Sequence, residues 1–357
     1  MKIKSDMGLL FHIAFYCCTL FLNTLCYYTS ALCFSAEKIR KQIKKMIIIF
    51  GPTGTGKTDF ASALAAQLPA EIINMDIGSF YTPLSIGTAK PDWSASLVPH
   101  HLFDILNSPV NYTVAQYRTD IIRLISDIKS RGKIPILVGG SGFYLKSLFF
   151  VPAVASADSA SVVSREKTNE QLWHELFVID PERAMQIHKN DRYRVERALG
   201  IWQLTGKKAS EQAPEYMPLD SQARIICLTR ERSQLYERIN NRVDQMMNSG
   251  WLEEVKKLRG TDWEQFLYEK KLIGYVELLE YLAGNIELEA ALTTIKTKSR
   301  NYAKRQLTFW RMLNSSLSSA NQHKEAERKI KTEIINLTFA DLELYLKQLV
   351  RECKAML

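Results

Sequence analysis

Cysteine is scarce where it would matter. Of the six in 357 residues, Cys17, Cys18, Cys26 and Cys33 fall in the first stretch, leaving Cys227 and Cys353 for everything else. Two distant thiols cannot staple a disulfide framework or complete a zinc cluster, and such sparing use fits a reducing compartment. Charge is also missing in one place. No Asp, Glu, Lys or Arg occurs from Gly8 to Phe34, a run long enough to span a bilayer. Lys38, Arg40, Lys41, Lys44 and Lys45 follow it, and the positive-inside rule would then leave the remainder in the cytoplasm on a single tether. A signal peptide is a second reading, although secretion would part a phosphate site from its phosphates. The preferred reading is a third: residues 1–45 are an extension upstream of Met46 that arises from a misplaced start codon.

The rest has ample material for a buried core, with 46% hydrophobic residues overall. Net charge is +9 and the isoelectric point is near 9.1, which leans toward a polyanionic partner without naming one. The strongest local signal is Ile47 to Thr58, I-I-I-F-G-P-T-G-T-G-K-T. An apolar, mostly β-branched strand runs into a complete G-x-x-x-x-G-K-[ST] pattern from Gly51 to Thr58, and a helix follows. This is a P-loop. Gly51, Gly54 and Gly56 permit tight backbone, so that N–H groups and a helix N-terminus converge on an anion held by Gly51, Pro52, Thr53, Gly54, Thr55, Gly56, Lys57 and Thr58. Lys57 adds a mobile positive charge, and the Thr58 hydroxyl is placed to reach a magnesium ion. The pattern does not say which phosphate is bound. No N-K-x-D segment occurs where guanine would be read, which argues against a GTPase.

Alternating signals predict more of the sheet. Glu71 to Met75 reads as a strand ending at Asp76, a carboxylate aimed into the ligand crevice of an open α/β sheet and a candidate base or metal-shell residue. Tyr112 to Lys129 is helical, with Val114, Tyr117, Ile121, Leu124 and Ile128 on one face. Ile134 to Val138 is a strand running into Gly139-Gly140-Ser141-Gly142, a second glycine-rich turn that brings the Ser141 hydroxyl near the first if the strands are neighbours. Adjacent His100 and His101 point apart in most geometries, so a hydrogen-bonding role outweighs a metal site. Basic helices come later: Arg194 with Arg197; Arg238, Arg242 and Gln245 on a polar stripe; and Arg300, Lys304 and Arg311 interleaved with Tyr302, Phe309 and Trp310. Each alone suits a solvated face over a core stripe; together they suit RNA.

The order of these pieces carries a resemblance. The P-loop, Asp76, I-G-T-A-K-P from Ile86, P-H-H-L-F-D from Pro99 and V-G-G-S-G-F-Y from Val138 are followed by Asn190-Asp191 with Arg194 and Arg197, then Arg232 with Leu235-Tyr236. Ile273-Gly274-Tyr275 and Tyr302-Ala303-Lys304-Arg305-Gln306 complete the set. From Met46 to about Asn314 the chain resembles the tRNA dimethylallyltransferases, also called tRNA isopentenyltransferases. The resemblance implies transfer of a dimethylallyl group from dimethylallyl diphosphate to N6 of the adenine 3′ of the anticodon, with magnesium as cofactor and tRNA as partner; no obligate protein partner is inferred. It implies catalytic roles for Asp76 as base, Ser141 as a hydrogen-bonding hydroxyl and Arg232 on the leaving diphosphate. It also implies tRNA contact by Asp76, Ile77, Gly78 and Ser79, by Tyr193, Arg194, Val195, Glu196 and Arg197, and by Lys271, Leu272, Ile273, Gly274, Tyr275 and Val276. Several positions depart from the pattern. Ser79 stands where the family usually has glutamine, Thr82 where it has arginine, Ser85 where it has aspartate, Ser141 where it has threonine and Val276 where it has a basic residue.

The expected fold is α/β: a P-loop NTPase-like parallel sheet over residues 46–151, with a helical insertion at 152–220 facing the tRNA. A return strand Arg224 to Leu228 and helices complete the core and RNA surface over 221–314, and 315–357 is a helical tail without an assigned role. Two other functions fit parts of the chain: a kinase or isopentenyltransferase acting on free adenine nucleotides, and a catalytically degenerate tRNA-binding protein.

Overall fold

In the computed structural model, which describes residues 46–152, 167–322 and 330–355, the apolar run Ile47–Phe50 forms β1 at an inner position of a parallel sheet. Residues 1–45 and 153–166 lie outside the described residues, and with them the possible membrane span and part of the weakly patterned insertion. Among the described residues no helix is long and apolar enough to cross a membrane. Around β1 the chain places helix α1 (Lys57–Ala65), β2 (Ala70–Asn74), β3 (His100–His101), α2 (Val114–Ser130), β4 (Ile134–Gly139) and α3 (Gly142–Ser147). The strand order is β3-β2-β4-β1, continued by β7 (Arg224–Thr229) and β8 (Lys331–Asn336). Every residue of β1, β2 and β4 is buried, as a parallel sheet covered on both faces requires.

Register decides where the chemistry can sit. Phe50 lies beside Gly139 of β4 and Cys227 of β7, while Asn74 of β2 lies beside Val138. The C-terminal ends of three neighbouring strands therefore deliver the P-loop, Asp76 and the Gly140-Ser141 turn to one edge, where open α/β sheets bind ligands. Helix α2 starts at a capping box of Thr113 and Gln116 and buries Tyr117, Ile121, Ile125 and Ile128. Ile125 occupies the inward position that periodicity gave to Leu124, which is only partly buried.

Between the short antiparallel strands β5 (Phe150–Val151) and β6 (Glu215–Tyr216) lie α4 (Asn169–Ile179), α5 (Pro181–Met185) and α6 (Arg192–Thr205). These helices close over their own apolar cluster of Leu172, Leu176, Ala184, Ile187, Val195, Ala198 and Leu199. After β7 come α7 (Arg232–Asn248), α8 (Trp251–Leu258), α9 (Asp262–Lys270), α10 (Tyr275–Leu282) and the 34-residue α11 (Leu288–Asn321). One stripe of α11 is buried, and its Trp310 ring stacks on Phe50 at 5.8 Å.

The expected helical tail needs one correction. Residues 331–336 form β8, which extends the sheet in parallel with β7, and only then does the helix α12 (Leu342–Lys354) follow. Arg224 of β7 donates to Glu333 of β8 at 3.0 Å, fixing that edge with a charged pair rather than an apolar stripe. Its strand pattern is short and half-exposed, so periodicity alone does not separate it from the helix after it.

Candidate active site

The P-loop has the geometry its glycines allow. Gly54 and Gly56 take φ of 81° and 99°, the left-handed region open to glycine, and a Cβ on Gly51 would lie 2.4 Å from the Leu228 carbonyl oxygen. Gly56 caps α1 without any side-chain hydrogen bond, so the first-turn N–H groups remain available to an anion. The loop carbonyls are tied from outside. Arg238 Nε donates to Gly54 O at 2.8 Å, Arg230 Nε to Thr55 O at 3.0 Å and Lys57 Nζ to Pro52 O at 3.1 Å. Thr58 is exposed on the first turn of α1. One predicted donor is already engaged: the Thr53 N–H is taken by Gln306 Oε1 at 3.0 Å, so it is not part of the open cradle.

Asp76 leaves β2 toward this loop. Its backbone is pinned on both sides by the Asn74 side chain, which accepts from Asp76 N at 2.8 Å and donates to Asp76 O at 3.0 Å. Its carboxylate accepts from the Gly140 N–H at 2.6 Å, and the neighbouring Ser141 hydroxyl accepts from Ile77 N at 3.3 Å. Cations face it. Lys57 and Arg242 both feel the Asp76 charge; burial pushes both pKa values down and the carboxylate opposes that shift in each. Tyr302 of α11 completes the ring: burial and then the Asp76 charge push its hydroxyl up, and it is hydrogen-bonded with Ser141 and Gln306. Cys227, beneath Lys57, is pushed up to about 12 by burial and is no nucleophile.

The arrangement can bind a polyanion, hold a carboxylate within the field of two cations, and present a hydroxyl beside it. The structure brings together Lys57, Asp76 and Ser141 of the sequence-predicted residues. It does not bring Arg232 to them. That side chain is exposed at the start of α7, with its guanidinium 5.2 Å from the Tyr236 ring centroid. Arg242, three turns further along α7, faces the site instead. Arg238, though exposed, ties the P-loop through Gly54 O, and Arg242 is half-buried beside Asp76, because α7 packs Leu235 and Ile239 under that loop. Gln306 was also missed. Its signal was a polar residue in the buried register of Ala303, Trp310 and Leu313.

The predicted RNA segments divide by burial. Tyr193 is 62% exposed and Arg194 and Lys271 are exposed, and with His188, Asn190 and Arg192 the first and last of these line one cleft. Arg197 is half-buried, Glu196 is paired with Arg192 at 2.6 Å, and Leu272, Ile273 and Val276 are half-buried. Val195, Gly274 and Tyr275 are corrections. Val195 belongs to the apolar cluster between α4 and α6, Gly274 is pressed against Trp251, and the buried Tyr275 hydroxyl donates to Glu254 at 2.7 Å. The Val195 and Tyr275 side chains therefore pack the protein, and Gly274 makes room for the Trp251 ring. Trp310 likewise stacks in the core, where an RNA base cannot reach it.

At the turn after Asp76, Ser79 is 5% exposed and its backbone is bonded to Asp76 and Asp104, whereas Ile77 is 45% exposed. Gly78 is needed there, since a Cβ would lie 2.5 Å from the Thr88 methyl. The I-G-T-A-K-P loop that carries Thr88 is itself held by Glu254, which accepts from the N–H groups of Ser85, Ile86 and Gly87. His101 and His100 have hydrogen-bonding roles, as expected: His101 pairs with Glu71 at 2.7 Å, and His100 with the Val98 carbonyl at 2.7 Å.

Comparison with known proteins agrees with this geometry. The profile of the IPP transferase family matches residues 79–313. A tRNA dimethylallyltransferase from Alkaliphilus metalliredigens is 40% identical over 281 residues, covering 75% of this chain and 88% of the relative. One from Geobacter sulfurreducens is 40% identical over 276 residues, with 75% and 89% covered. Among solved structures, the tRNA isopentenylpyrophosphate transferase of Bacillus halodurans is 33% identical with a TM-score of 0.58, covering 88% of this chain and 96% of its own. A eukaryotic dimethylallyltransferase captured acting on tRNA is 29% identical with a TM-score of 0.67, covering 87% and 78%. On sequence, length and fold, the chain belongs to the tRNA dimethylallyltransferase family of IPP transferases.

Proposed function

We propose that this chain transfers the dimethylallyl group of dimethylallyl diphosphate to N6 of the adenine 3′ of the anticodon in tRNA, releasing diphosphate. One observation carries the reading: the carboxylate of Asp76, held by Gly140 N–H at 2.6 Å, lies in the field of Lys57 and Arg242 beside an uncapped helix N-terminus. A diphosphate bound on that terminus leaves with the electron pair of the allylic C–O bond, and the N–H groups and cations stabilise the charge that develops. The N6 lone pair forms the new N–C bond, and Asp76 accepts the N6 proton. Lys57, which rests on the Pro52 carbonyl, turns to the diphosphate. Ser141 holds a hydroxyl at the reacting centre, oriented by Ile77 N–H and Tyr302.

Magnesium fits this site. Thr58 offers an exposed hydroxyl beside the diphosphate position, and among the described residues no group of three His, Cys, Asp or Glu forms a cage. One protein oxygen supplemented by phosphate oxygens is the sparse set magnesium takes. When bound, it offsets the diphosphate charge.

The exposed Tyr193, Arg194 and Lys271 suit a splayed anticodon loop, with phosphates paired to the basic groups and a ring free to stack. An adenine must leave its stack to reach Asp76, which a folded loop permits at modest cost. No protein partner is required, and a cytoplasm containing tRNA is the expected compartment. The test offers labelled dimethylallyl diphosphate and magnesium with unmodified tRNA, AMP and ATP as competing acceptors. Label in tRNA, lost on Asp76→Ala, supports the proposal. Label in AMP would move the activity to free nucleotides, and tRNA binding without label would leave a binding protein only.

A further inference from the structure

We infer that Gln306 is a positioning residue that couples the diphosphate loop to the catalytic carboxylate. It is 5% exposed in the apolar stripe of α11, where its inward neighbours include Ala303, Trp310 and Leu313. A lone amide there must satisfy both of its polar ends. It does so across the two glycine-rich turns: Oε1 accepts from Thr53 N in the P-loop at 3.0 Å, and Nε2 donates to Gly140 O at 2.8 Å. Gly140 in turn donates its N–H to Asp76 at 2.6 Å. A continuous path of three hydrogen bonds therefore runs from the P-loop through Gln306 and Gly140 to the base. The fit is close. A Cβ on Gly140 would lie 2.1 Å from Gln306 Nε2 and 2.9 Å from the Gly51 carbonyl, so glycine there is what lets the amide in.

Neither an apolar nor an ionised side chain of similar size replaces it. The bridge needs one donor and one acceptor at fixed ends; leucine or methionine has neither, and an ionised glutamate has two acceptors facing the Gly140 carbonyl. Loss of the bridge frees both turns, and a displacement of about 1 Å at a reacting group costs on the order of 100-fold in rate. It also loosens the Gly140 N–H that holds the Asp76 carboxylate in place. The other groups facing that carboxylate are Lys57 of α1, Tyr117 of α2, Arg242 of α7 and Tyr302 of α11. Of these, Tyr302 also borders Gln306.

This inference rests on the prenyl-transfer reading for its kinetic arm but not for its binding arm. The experiment compares the full chain with Q306L and Q306E, titrating inorganic diphosphate by calorimetry and measuring kcat and kcat/KM for transfer to tRNA across pH. Q306L is expected to bind diphosphate about 10-fold more weakly and to lose about 100-fold in kcat, with the KM for tRNA little changed. In Q306E the defect shrinks as pH falls, because a protonated carboxyl again has one donor and one acceptor. Should Q306L not fold, the volume-conserving Q306E carries the diphosphate comparison. Wild-type diphosphate affinity and wild-type kcat in a merely less stable Q306L would overturn the inference, as would Q306E with no relief at low pH. If no tRNA is labelled by the unmodified chain, the prenyl-transfer reading fails while the diphosphate titration still decides the role of Gln306.

Discussion

The carboxylate of Asp76 accepts a 2.6 Å hydrogen bond from the backbone N–H of Gly140, and that bond joins the ends of two neighbouring strands. It places a base within the field of Lys57 and Arg242. A backbone donor fixes the position of the carboxylate from which a base must reach its proton.

Asp76→Asn separates that structural bond from the chemistry. The amide oxygen still accepts from Gly140, so the thermal unfolding midpoint should stay close to wild type while kcat for label transfer falls by about 10²- to 10⁴-fold. An unfolded Asp76→Asn chain would mean that the charge serves the fold first.

Arg242 and Arg232 make opposite predictions. Arg242→Met removes a cation beside Lys57 and Asp76 and should cost roughly 100-fold in kcat/KM, whereas Arg232→Ala removes a side chain resting on Tyr236 and should cost less than about 5-fold. Steady-state kinetics with dimethylallyl diphosphate decides between them. Equal losses would return Arg232 to the catalytic set.

Glu71 makes stability depend on pH. Burial pushes its carboxyl up, but hydrogen bonds from Arg131, Lys133 and His101 outweigh that and bring it down from 4.5 to about 2. Because the folded value is the lower, the stabilisation is fully present above about pH 4.5 and is lost as pH falls toward 2. Urea midpoints measured across that window should drop more steeply for wild type than for Glu71→Gln. Parallel curves would contradict the assignment.

Gly274→Ala tests a packing role for a residue in a segment predicted to touch RNA. Gly274 has φ of 91°, and a Cβ would lie 2.0 Å from the Trp251 ring, so alanine must strain the backbone and displace a buried indole. A loss of about 2 kcal/mol or more in chemical denaturation is expected. Unchanged stability with weakened tRNA binding would assign the glycine to the RNA instead.

Much of this was legible in the sequence, for identifiable reasons. The P-loop and the G-G-S-G turn announce themselves because glycine at fixed spacing has few other uses, and Asp76 follows from its place after a strand. Parallel strands such as Ile134–Gly139 show as unbroken apolar runs because both faces are covered. Position along a helix was harder. Arg232 and Arg242 sit on one helix and look alike as sequence, but only the packing of Leu235 and Ile239 under the P-loop decides which arginine turns inward. Trp310 reads as an aromatic interleaved with basic residues and Tyr275 as part of a segment touching RNA, yet both are core, because burial depends on partners far away in the chain. β8 was hidden for the opposite reason: an edge strand held by Arg224 and Glu333 has little apolar pattern to find.

The most direct test of prenyl transfer is mass spectrometry of nucleosides from an unmodified tRNA transcript incubated with the chain, dimethylallyl diphosphate and magnesium. The account predicts N6-dimethylallyladenosine at the position 3′ of the anticodon, and none from a transcript carrying guanine there or from the Asp76→Ala chain. An unmodified adenine at that position, in tRNA that the wild-type chain binds, would contradict it.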